Sequence, residues 1–262
     1  MHRRSMLSRR FFMEQNIWFI GGSSGIGFEL VKQYLRADNN VIVSARTATC
    51  TQNLKELLVL YPTKLKLLDM DVSDSKSVKQ GTSLAWDFYN GIDLCFYNAG
   101  VYESMKMDQW NLEHFEAMNS INYLGAVRLI SSLAPLYEKQ KHGSFVFNLS
   151  ISSYIGLPYG GGYSAPKAAL LNFCESIQPE LMSKNIKVQV INHGFVKTRL
   201  THKNDFEMPQ LLEADLAAQI IYKELQKKYR FEIRFPFLLT SFINVLRMLP
   251  YKISLALTKK AL

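Results

Sequence analysis

The sequence predicts a single α/β domain built on a doubly wound, mostly parallel sheet of about seven strands. Short apolar runs alternate with segments whose apolar residues recur at helical spacing, which is typical of a parallel sheet covered by helices on both faces. A glycine-rich turn joins the first apolar run to the first helical segment. The length of 262 residues suits one such sheet with a large core.

The first predicted strand is Asn16–Ile20, an apolar run rich in aromatic and β-branched side chains. The turn that follows reads GGSSGIG over residues 21–27, and a helix is predicted at 28–35. Glycine permits a tight turn and lets backbone N–H groups approach an anion, and the helix N-terminus presents unpaired donors to it. Strand, turn and helix together predict a site for the pyrophosphate of a dinucleotide.

Tyr163 and Lys167 indicate a site for proton transfer. They are four residues apart, and residues at that spacing on a helix lie on the same face. A tyrosine titrates at about 10, so we expect the lysine cation to lower the pKa of Tyr163 toward the range useful for proton transfer. Ser150 ends the fifth predicted strand, and its hydroxyl could hydrogen-bond the oxygen of a carbonyl substrate. A solvated helix face is the alternative interpretation of the tyrosine–lysine pair taken alone.

The spacing of Gly21, Gly25 and Gly27, combined with the tyrosine–lysine pair, resembles the short-chain dehydrogenase/reductase family. The resemblance covers roughly residues 14 to 235. It implies a Rossmann-type fold and an oxidoreductase that interconverts a carbonyl and an alcohol with NAD(P)(H). A protein that binds NADP(H) as a sensor or scaffold without turnover is the alternative.

The resemblance also implies four catalytic roles. Tyr163 is the general acid in reduction and the base in oxidation. Lys167 lowers the pKa of Tyr163 and bonds the nicotinamide ribose. Ser150 polarises the substrate carbonyl, and the backbone carbonyl of Asn122 supports a water relay to Lys167.

Two of these assignments have rivals in the sequence. Asparagine is a poor residue for a helix interior, so the mid-helix Asn122 indicates a local purpose, although Asn119 competes with it. Spacing to the following glycine favours Asn122. Ser152 and Ser153 compete with Ser150, but only Ser150 has the family's distance to the tyrosine.

Cofactor specificity is predicted at the end of the second strand, where Ala45 and Arg46 follow the run at 40–44. A carboxylate there would bind the adenosine ribose and repel a 2′-phosphate. Ala45 offers none, whereas the guanidinium of Arg46 suits a phosphate. NADP(H) is therefore favoured over NAD(H), with a solvated strand-end arginine as the alternative.

Further cofactor contacts follow from the resemblance. Asp71 with Val72 matches the position that contacts the adenine ring, and Asp69 is a rival acid. Tyr97 stands where relatives have the first asparagine of Asn-Asn-Ala-Gly, which is expected to alter a supporting hydrogen bond without abolishing binding. The full predicted set of cofactor contacts is Gly21, Ser23, Ser24, Gly25, Ile26, Gly27, Arg46, Asp71, Val72, Asn98, Ala99, Gly100, Tyr163, Lys167, Val196 and Thr198.

The loop after the sixth predicted strand, 186–191, departs from the family at His193, where relatives commonly have proline. Losing a fixed φ is expected to make this loop less rigid. A local hydrogen bond is the favoured interpretation of His193 over a catalytic role. The resemblance implies that Thr198 bonds the nicotinamide carboxamide, and Phe195 and Val196 are expected to line the nicotinamide face.

An apolar and aromatic substrate pocket is expected beyond the nicotinamide, and it favours a lipophilic ketone or aldehyde. Its expected lining is Tyr154, Tyr159, Phe195, Phe206 and Met208.

The formal net charge of +9 is uneven along the chain. Residues 1–12 form a basic leader, expected to be disordered, and Met13 is a second possible start. The twin arginines at 9 and 10 lack an apolar segment of their own, because the next apolar run is the first strand, so export is not expected. The three cysteines are widely separated and favour a reducing cytoplasm, with no metal-ligand spacing.

The predicted organisation is a Rossmann-type oxidoreductase domain at 13–235 and an apolar, basic extension at 236–262. The extension holds an apolar run at 237–249, whose helical length of about 20 Å is too short for a bilayer core of about 30 Å. Packing on the domain or a subunit, a lid over the substrate and an interfacial membrane contact remain open. No nucleic-acid motif accompanies the net charge, and a homo-oligomer is possible by resemblance.

Overall fold

The computed structural model describes residues 14–203 and 207–259, and the leader predicted at 1–12 lies outside them. The strands of this part of the chain are β1 Asn16–Ile20, β2 Asn40–Ala45, β3 Leu65–Asp69, β4 Leu94–Tyr97, β5 Gly143–Asn148, β6 Ile186–His193, β7 Val196–Lys197, β8 Leu212–Glu213 and β9 Glu232–Phe235. The α-helices are α1 Gly25–Arg36, α2 Gln52–Leu60, α3 Ser75–Tyr89, α4 Leu112–Asn119, α5 Gly125–Gln140, α6 Gly161–Ser183, α7 Ala214–Leu225, α8 Phe237–Met248 and α9 Tyr251–Thr258.

Seven strands form one sheet in the order β3-β2-β1-β4-β5-β6-β9. Every neighbouring pair in it is parallel. This confirms the predicted doubly wound parallel sheet. The chain winds outward in one direction from β1 to β3 and in the other from β4 to β9, so a crevice opens at the carboxyl ends of β1 and β4.

Successive side chains of each strand point to opposite faces of the sheet, so the hydrophobic core has two halves, one on each face. Ile17 and Phe19 of β1 pack with α1 and α7, whereas Trp18 and Ile20 point to the opposite face with α3, α5 and α6. All four side chains are almost fully buried. Both faces are therefore covered, which holds the carboxyl ends of the strands in a fixed arrangement for the site.

The C-terminal extension begins directly after β9 and forms α8 and α9. Thr240, Ile243 and Leu246 of α8 are buried, so the helix packs against the domain on one side. Among the described residues, no helix has both the length and the apolar character required to cross a bilayer.

Candidate active site

A cavity of about 440 Å³ lies at the carboxyl ends of the central strands. The predicted site residues that line it are Gly21, Ser23, Ser24, Gly25, Ile26, Arg46, Asp71, Val72, Asn98, Ala99, Gly100, Ser150, Tyr163, Lys167, Val196 and Thr198. The other two, Gly27 and Asn122, are buried behind this lining. The fold therefore brings the predicted catalytic residues and the predicted cofactor contacts together around one cavity.

The glycine turn between β1 and α1 has the form that a bound anion requires. Gly21 and Gly25 have φ of +85° and +56°, which only glycine adopts readily. A Cβ on Gly27 would lie 2.6 Å from the Gly21 carbonyl oxygen, so the turn closes too tightly for a side chain. Ser24 makes no side-chain hydrogen bond to cap α1. The first N–H groups of the helix therefore remain for a pyrophosphate, and the turn fits that group.

A chain of short hydrogen bonds links this turn to the reacting end of the cavity. Asn98 Nδ2 donates to the Gly21 carbonyl at 2.7 Å, and Asn148 Nδ2 donates to Asn98 Oδ1 at 2.8 Å. The Asn148 carbonyl accepts from Lys167 Nζ at 2.7 Å. The two asparagines, at the ends of β4 and β5, therefore fix the lysine relative to the nucleotide turn.

Tyr163 and Lys167 lie in the first turns of α6 and face the cavity together. Lys167 Nζ lies 5.6 Å from the centroid of the Tyr163 ring, and the ring of Tyr102 meets Tyr163 edge-on at 5.2 Å between centroids. The Ser150 hydroxyl hydrogen-bonds the Tyr163 phenol. The predicted serine, tyrosine and lysine thus converge on one point of the lining.

The expected direction of the tyrosine pKa shift is wrong for this site. Burial raises the pKa of Tyr163, the neighbouring Tyr102 raises it further, and the hydrogen bond from Ser150 only partly offsets them. Burial also lowers the pKa of Lys167 to about 8, so it remains mostly protonated at neutral pH. The charge of Lys167 is not among the influences on the Tyr163 pKa, which burial dominates.

Ser150 lies two residues beyond the end of β5, in a short turn rather than in the strand. Ser152 donates to Ser150 Oγ twice, from its hydroxyl at 2.9 Å and its backbone N–H at 3.3 Å. With both donors directed at its oxygen, the Ser150 hydrogen is left to be donated to Tyr163 or to a substrate oxygen. Ser153, the other rival, instead donates to Asn192 Oδ1 at 2.8 Å.

The serine turn is tied to the edge of the sheet through a second network. Asn192 of β6 donates from Nδ2 to Glu232 Oε1 of β9 at 2.6 Å. Tyr154 donates its hydroxyl to the same carboxylate oxygen. Asn192 also accepts from Ser153, so Glu232 of β9 holds the turn that carries Ser150 in place.

Asn122 lies in a π-helical turn at Ser120–Leu124, which joins α4 to α5, and not in a regular helix interior. Its amide is fully buried and exchanges two hydrogen bonds with the backbone of Val101, at 2.8 and 2.9 Å. Asn119, its rival, is exposed at the end of α4. The Tyr97 hydroxyl donates to the Ile121 carbonyl at 2.6 Å, so Tyr97 supports the same turn.

The other end of the cavity brings Arg46 and Asp71 together. Burial opposes ionisation of Asp71, but two hydrogen bonds from Ser73 and the charges of Arg46 and Arg128 outweigh it and lower its pKa. Asp69 instead accepts hydrogen bonds from Thr49 outside the cavity. Of the two acids considered, Asp71 is the one that lines the cavity.

His193 ends β6 and lines the cavity beside Lys167. Its Nδ1 is 2.7 Å from the Gly194 carbonyl oxygen, as in the local hydrogen bond expected from the sequence. Burial lowers the pKa of His193 to about 4, and the charge of Lys167 adds to that effect. The imidazole is therefore neutral near neutral pH.

The expected substrate pocket is corrected in part. Phe195 lines the cavity, but Tyr154 is directed to Glu232, and the Tyr159 ring lies under Lys106 at 5.7 Å. Met208 does not line the cavity, and Phe206 lies outside the described residues. Apolar and aromatic side chains of the lining that were not among the predicted ones include Val101, Tyr102, Ile121, Leu157 and Pro158.

Three functional residues of the lining were not predicted from the sequence. Asn148 had a signal, because it is a polar residue at the end of an otherwise apolar strand. Arg199 directly follows the predicted Thr198 and adds a second cation to the lining. Tyr102 lies in a loop with no periodic pattern, so its position depends on the tertiary fold. Among the described residues, no group of three or more His, Cys, Asp or Glu side chains could hold a metal ion.

Comparison with known proteins adds independent observations. A family model described as short chain dehydrogenase matches residues 15–208. An uncharacterized oxidoreductase of Myxococcus xanthus is 28% identical over 230 residues, covering 88% of this chain and 90% of that protein. A dehydrogenase/reductase SDR family protein 7-like of Drosophila melanogaster is 29% identical over 187 residues, covering 69% of this chain and 57% of that protein.

Two solved structures share the fold. A short-chain dehydrogenase from Streptomyces avermitilis superposes with a TM-score of 0.81 at 20% identity, covering 95% of this chain and 98% of that one. A short chain dehydrogenase from Burkholderia cenocepacia, crystallised in complex with NADP, gives 0.77 at 20% identity, covering 89% and 93%.

Proposed function

This chain belongs to the short-chain dehydrogenase family, and from that premise we propose that it is an NADPH-dependent reductase of lipophilic ketones or aldehydes. One observation carries the proposal. A tyrosine hydrogen-bonded to a serine, with a buried lysine beside it, faces the same cavity as a glycine turn suited to a pyrophosphate.

The proton chemistry follows from the groups at the reacting end. When bound, the nicotinamide supplies hydride to the carbonyl carbon. Tyr163 gives its proton to the carbonyl oxygen, and its raised pKa keeps the phenol protonated at neutral pH, as an acid must be. Ser150, oriented by Ser152, donates to the same oxygen. Lys167 holds the ribose side of the site, and Asn122 supports the water relay.

A positive charge at the end of the cavity away from Tyr163 supports NADP(H) over NAD(H). Arg46 lines the cavity at the end of β2, where its guanidinium can bind a 2′-phosphate. The structural neighbour from Burkholderia cenocepacia contains NADP, which supports a nicotinamide cofactor in this chain. The apolar residues around Phe195 support a lipophilic substrate, and the three free cysteines support a cytoplasmic location.

The test is NADPH oxidation with a library of ketones and aldehydes, run beside Tyr163→Phe. The variant should lose about 10²- to 10⁴-fold in kcat on the best substrate, because the phenolic proton is gone. Tyr159→Phe is the matched control, since that tyrosine lies nearby with its ring under Lys106, and it should retain full activity.

Two results would count against the proposal. Equal rates for Tyr163→Phe and the parent protein would remove Tyr163 as the acid. Tight NADPH binding with no oxidation by any carbonyl would favour the sensor or scaffold alternative.

A further inference from the structure

The two C-terminal helices carry a concentration of exposed apolar side chains. We call it the C-terminal apolar face, and its members are Phe237, Leu238, Phe242, Val245, Met248, Tyr251, Ile253, Leu255 and Leu257. Their exposed fractions run from 39% for Leu257 to 83% for Tyr251. Exposed apolar side chains concentrated in one segment mark a site of interaction rather than ordinary surface variation.

The face is outward-directed and held by packing behind it. At 100° per residue, the five exposed apolar side chains of α8 fall within about 140° of arc. Thr240, Ile243 and Leu246 occupy the opposite side of the helix and are buried against the domain. No described residue of α8 or α9 lines the cavity, which argues against the lid.

The charged residues that the sequence places after Glu232 are all basic. Arg234 at the end of the domain is exposed, and so are Arg247, Lys252 and Lys259 of the described extension. The Arg234 guanidinium lies 6.0 Å from the centroid of the exposed Phe237 ring, so cation and apolar surface are adjacent. Aromatic and aliphatic side chains flanked by lysine and arginine are the composition of a helix that lies on anionic lipid.

The length of α8 is also consistent with binding to a lipid surface. Helix α8 has 12 residues, about 18 Å, which is well short of a bilayer core. A helix of this length binds lipid by lying in the interface with its apolar side immersed.

We propose that the C-terminal apolar face docks this protein on an anionic lipid surface. Helix α8 lies beside the cavity through its domain-facing side, because a Cβ on Gly194, which lines the cavity, would meet the partly buried Leu239 at 2.9 Å. A lipophilic carbonyl dissolved in the bilayer would then be presented beside the site. This last step rests on the proposed function, whereas docking itself does not.

Co-sedimentation of the full chain with vesicles tests the proposal. Vesicles of phosphatidylcholine alone and with about 30% phosphatidylserine are compared, and the second should bind at least tenfold more protein and release it in high salt. The apolar triple variant Phe242→Gln/Val245→Gln/Met248→Gln should reduce binding at least tenfold. The charge variant Arg247→Gln/Lys252→Gln should weaken binding to the anionic vesicles about thirtyfold.

The matched control is Val59→Gln/Leu60→Gln, which removes two equally exposed apolar side chains from α2 and should leave vesicle binding unchanged. Since all substituted side chains are exposed, the unfolding transitions and NADPH oxidation of soluble carbonyls should match the parent protein. That comparison separates failure of docking from failure of the proposed enzymatic function.

Absent or charge-independent vesicle binding, or unchanged binding by both extension variants, would overturn the proposal. A dimer that dissociates in the apolar variant, with no vesicle binding by the parent chain, would assign the face to a second copy of the protein instead.

Discussion

At the scale of single residues, the hydroxyl of Ser150 owes its orientation to a neighbour two positions along the chain. Ser152 directs both its hydroxyl and its backbone N–H at Ser150 Oγ. That arrangement fixes Ser150 as a donor, because its own hydrogen cannot point back at either group. Under the proposed function, Ser152 is accordingly a positioning residue for the reaction.

Replacing Ser152 by alanine removes one of those donors and frees the Ser150 hydroxyl to rotate. We expect kcat to fall about tenfold with KM nearly unchanged, since the lost contact matters when charge develops on the carbonyl oxygen. Ser152→Thr retains the hydroxyl and should restore most of kcat. Ser131→Ala is the control, as that exposed hydroxyl bonds only the Val127 carbonyl within α5. A rise in KM at constant kcat would contradict the positioning role.

The proposed preference for NADP(H) also depends on one side chain. Arg46→Ala should raise the KM for NADPH by about tenfold or more, because one charge-assisted contact to phosphate contributes roughly 1.5–3 kcal/mol. The KM for NADH should stay within about twofold. Steady-state kinetics with both cofactors measure the difference, and Arg36→Ala, an exposed arginine at the end of α1, serves as the control. Equal losses for the two cofactors would reject the phosphate contact.

At the scale of elements, the π-helical turn between α4 and α5 depends on a tyrosine and a glycine that fit each other. The Tyr97 hydroxyl bonds the Ile121 carbonyl and occupies the space into which a Cβ on Gly125 would project. The π-helical turn places the Asn122 amide where it hydrogen-bonds the backbone of Val101. Tyr97 and Gly125 therefore stabilise the π-helical turn that fixes the position of Asn122.

Gly125→Ala should destabilise the fold by about 1–3 kcal/mol through overpacking, and Tyr97→Phe by about 1–2 kcal/mol through an unpaired buried carbonyl. The double variant removes the closest contact of the new methyl group and leaves only Val72, at 3.0 Å, so we expect a loss smaller than the sum. Urea unfolding measures all three. Gly156→Ala is the control, because its Cβ would meet nothing within 4 Å. Strict additivity would show that the two sites are not coupled.

The same elements show what the sequence could predict. The sequence predicts β1 and β4 directly, because burial on both sheet faces leaves a continuous hydrophobic run in each strand. The apolar run at 237–249 likewise predicts α8. The π-helical turn was not predicted, since it arises from one tyrosine meeting a backbone carbonyl across 24 residues. The direction of the Tyr163 pKa shift was missed for a similar reason. Spacing reveals the lysine neighbour, but only the tertiary structure reveals burial and Tyr102.

At the scale of the whole molecule, buried titratable groups couple the stability of the fold to pH. His193 has a folded pKa of about 4 against an ordinary value of 6.5, so the unfolded chain binds more protons between these limits. The free energy of unfolding should therefore fall as pH drops from about 6.5 to 4. Lys167, with a folded pKa of about 8 against 10.5, acts in a separate alkaline window, where stability should rise with pH.

His193→Gln should remove the acid-linked part of this loss. Between pH 7 and pH 4 we expect the parent protein to lose on the order of 1–3 kcal/mol more than the variant. Urea unfolding at a series of pH values gives the comparison, with the exposed His142→Gln as control. Parallel pH profiles for parent and variant would show that His193 is not the group responsible.

The attachment of the serine turn to Glu232 also sets an order of events during synthesis. β9 is the last strand of the main sheet to leave the ribosome, after every segment that forms the glycine turn. A chain shortened before β9 would therefore keep every residue of the glycine turn but lose the carboxylate that holds Asn192. Under the proposed function, such a chain should lose more of its reductase activity than of its affinity for the cofactor.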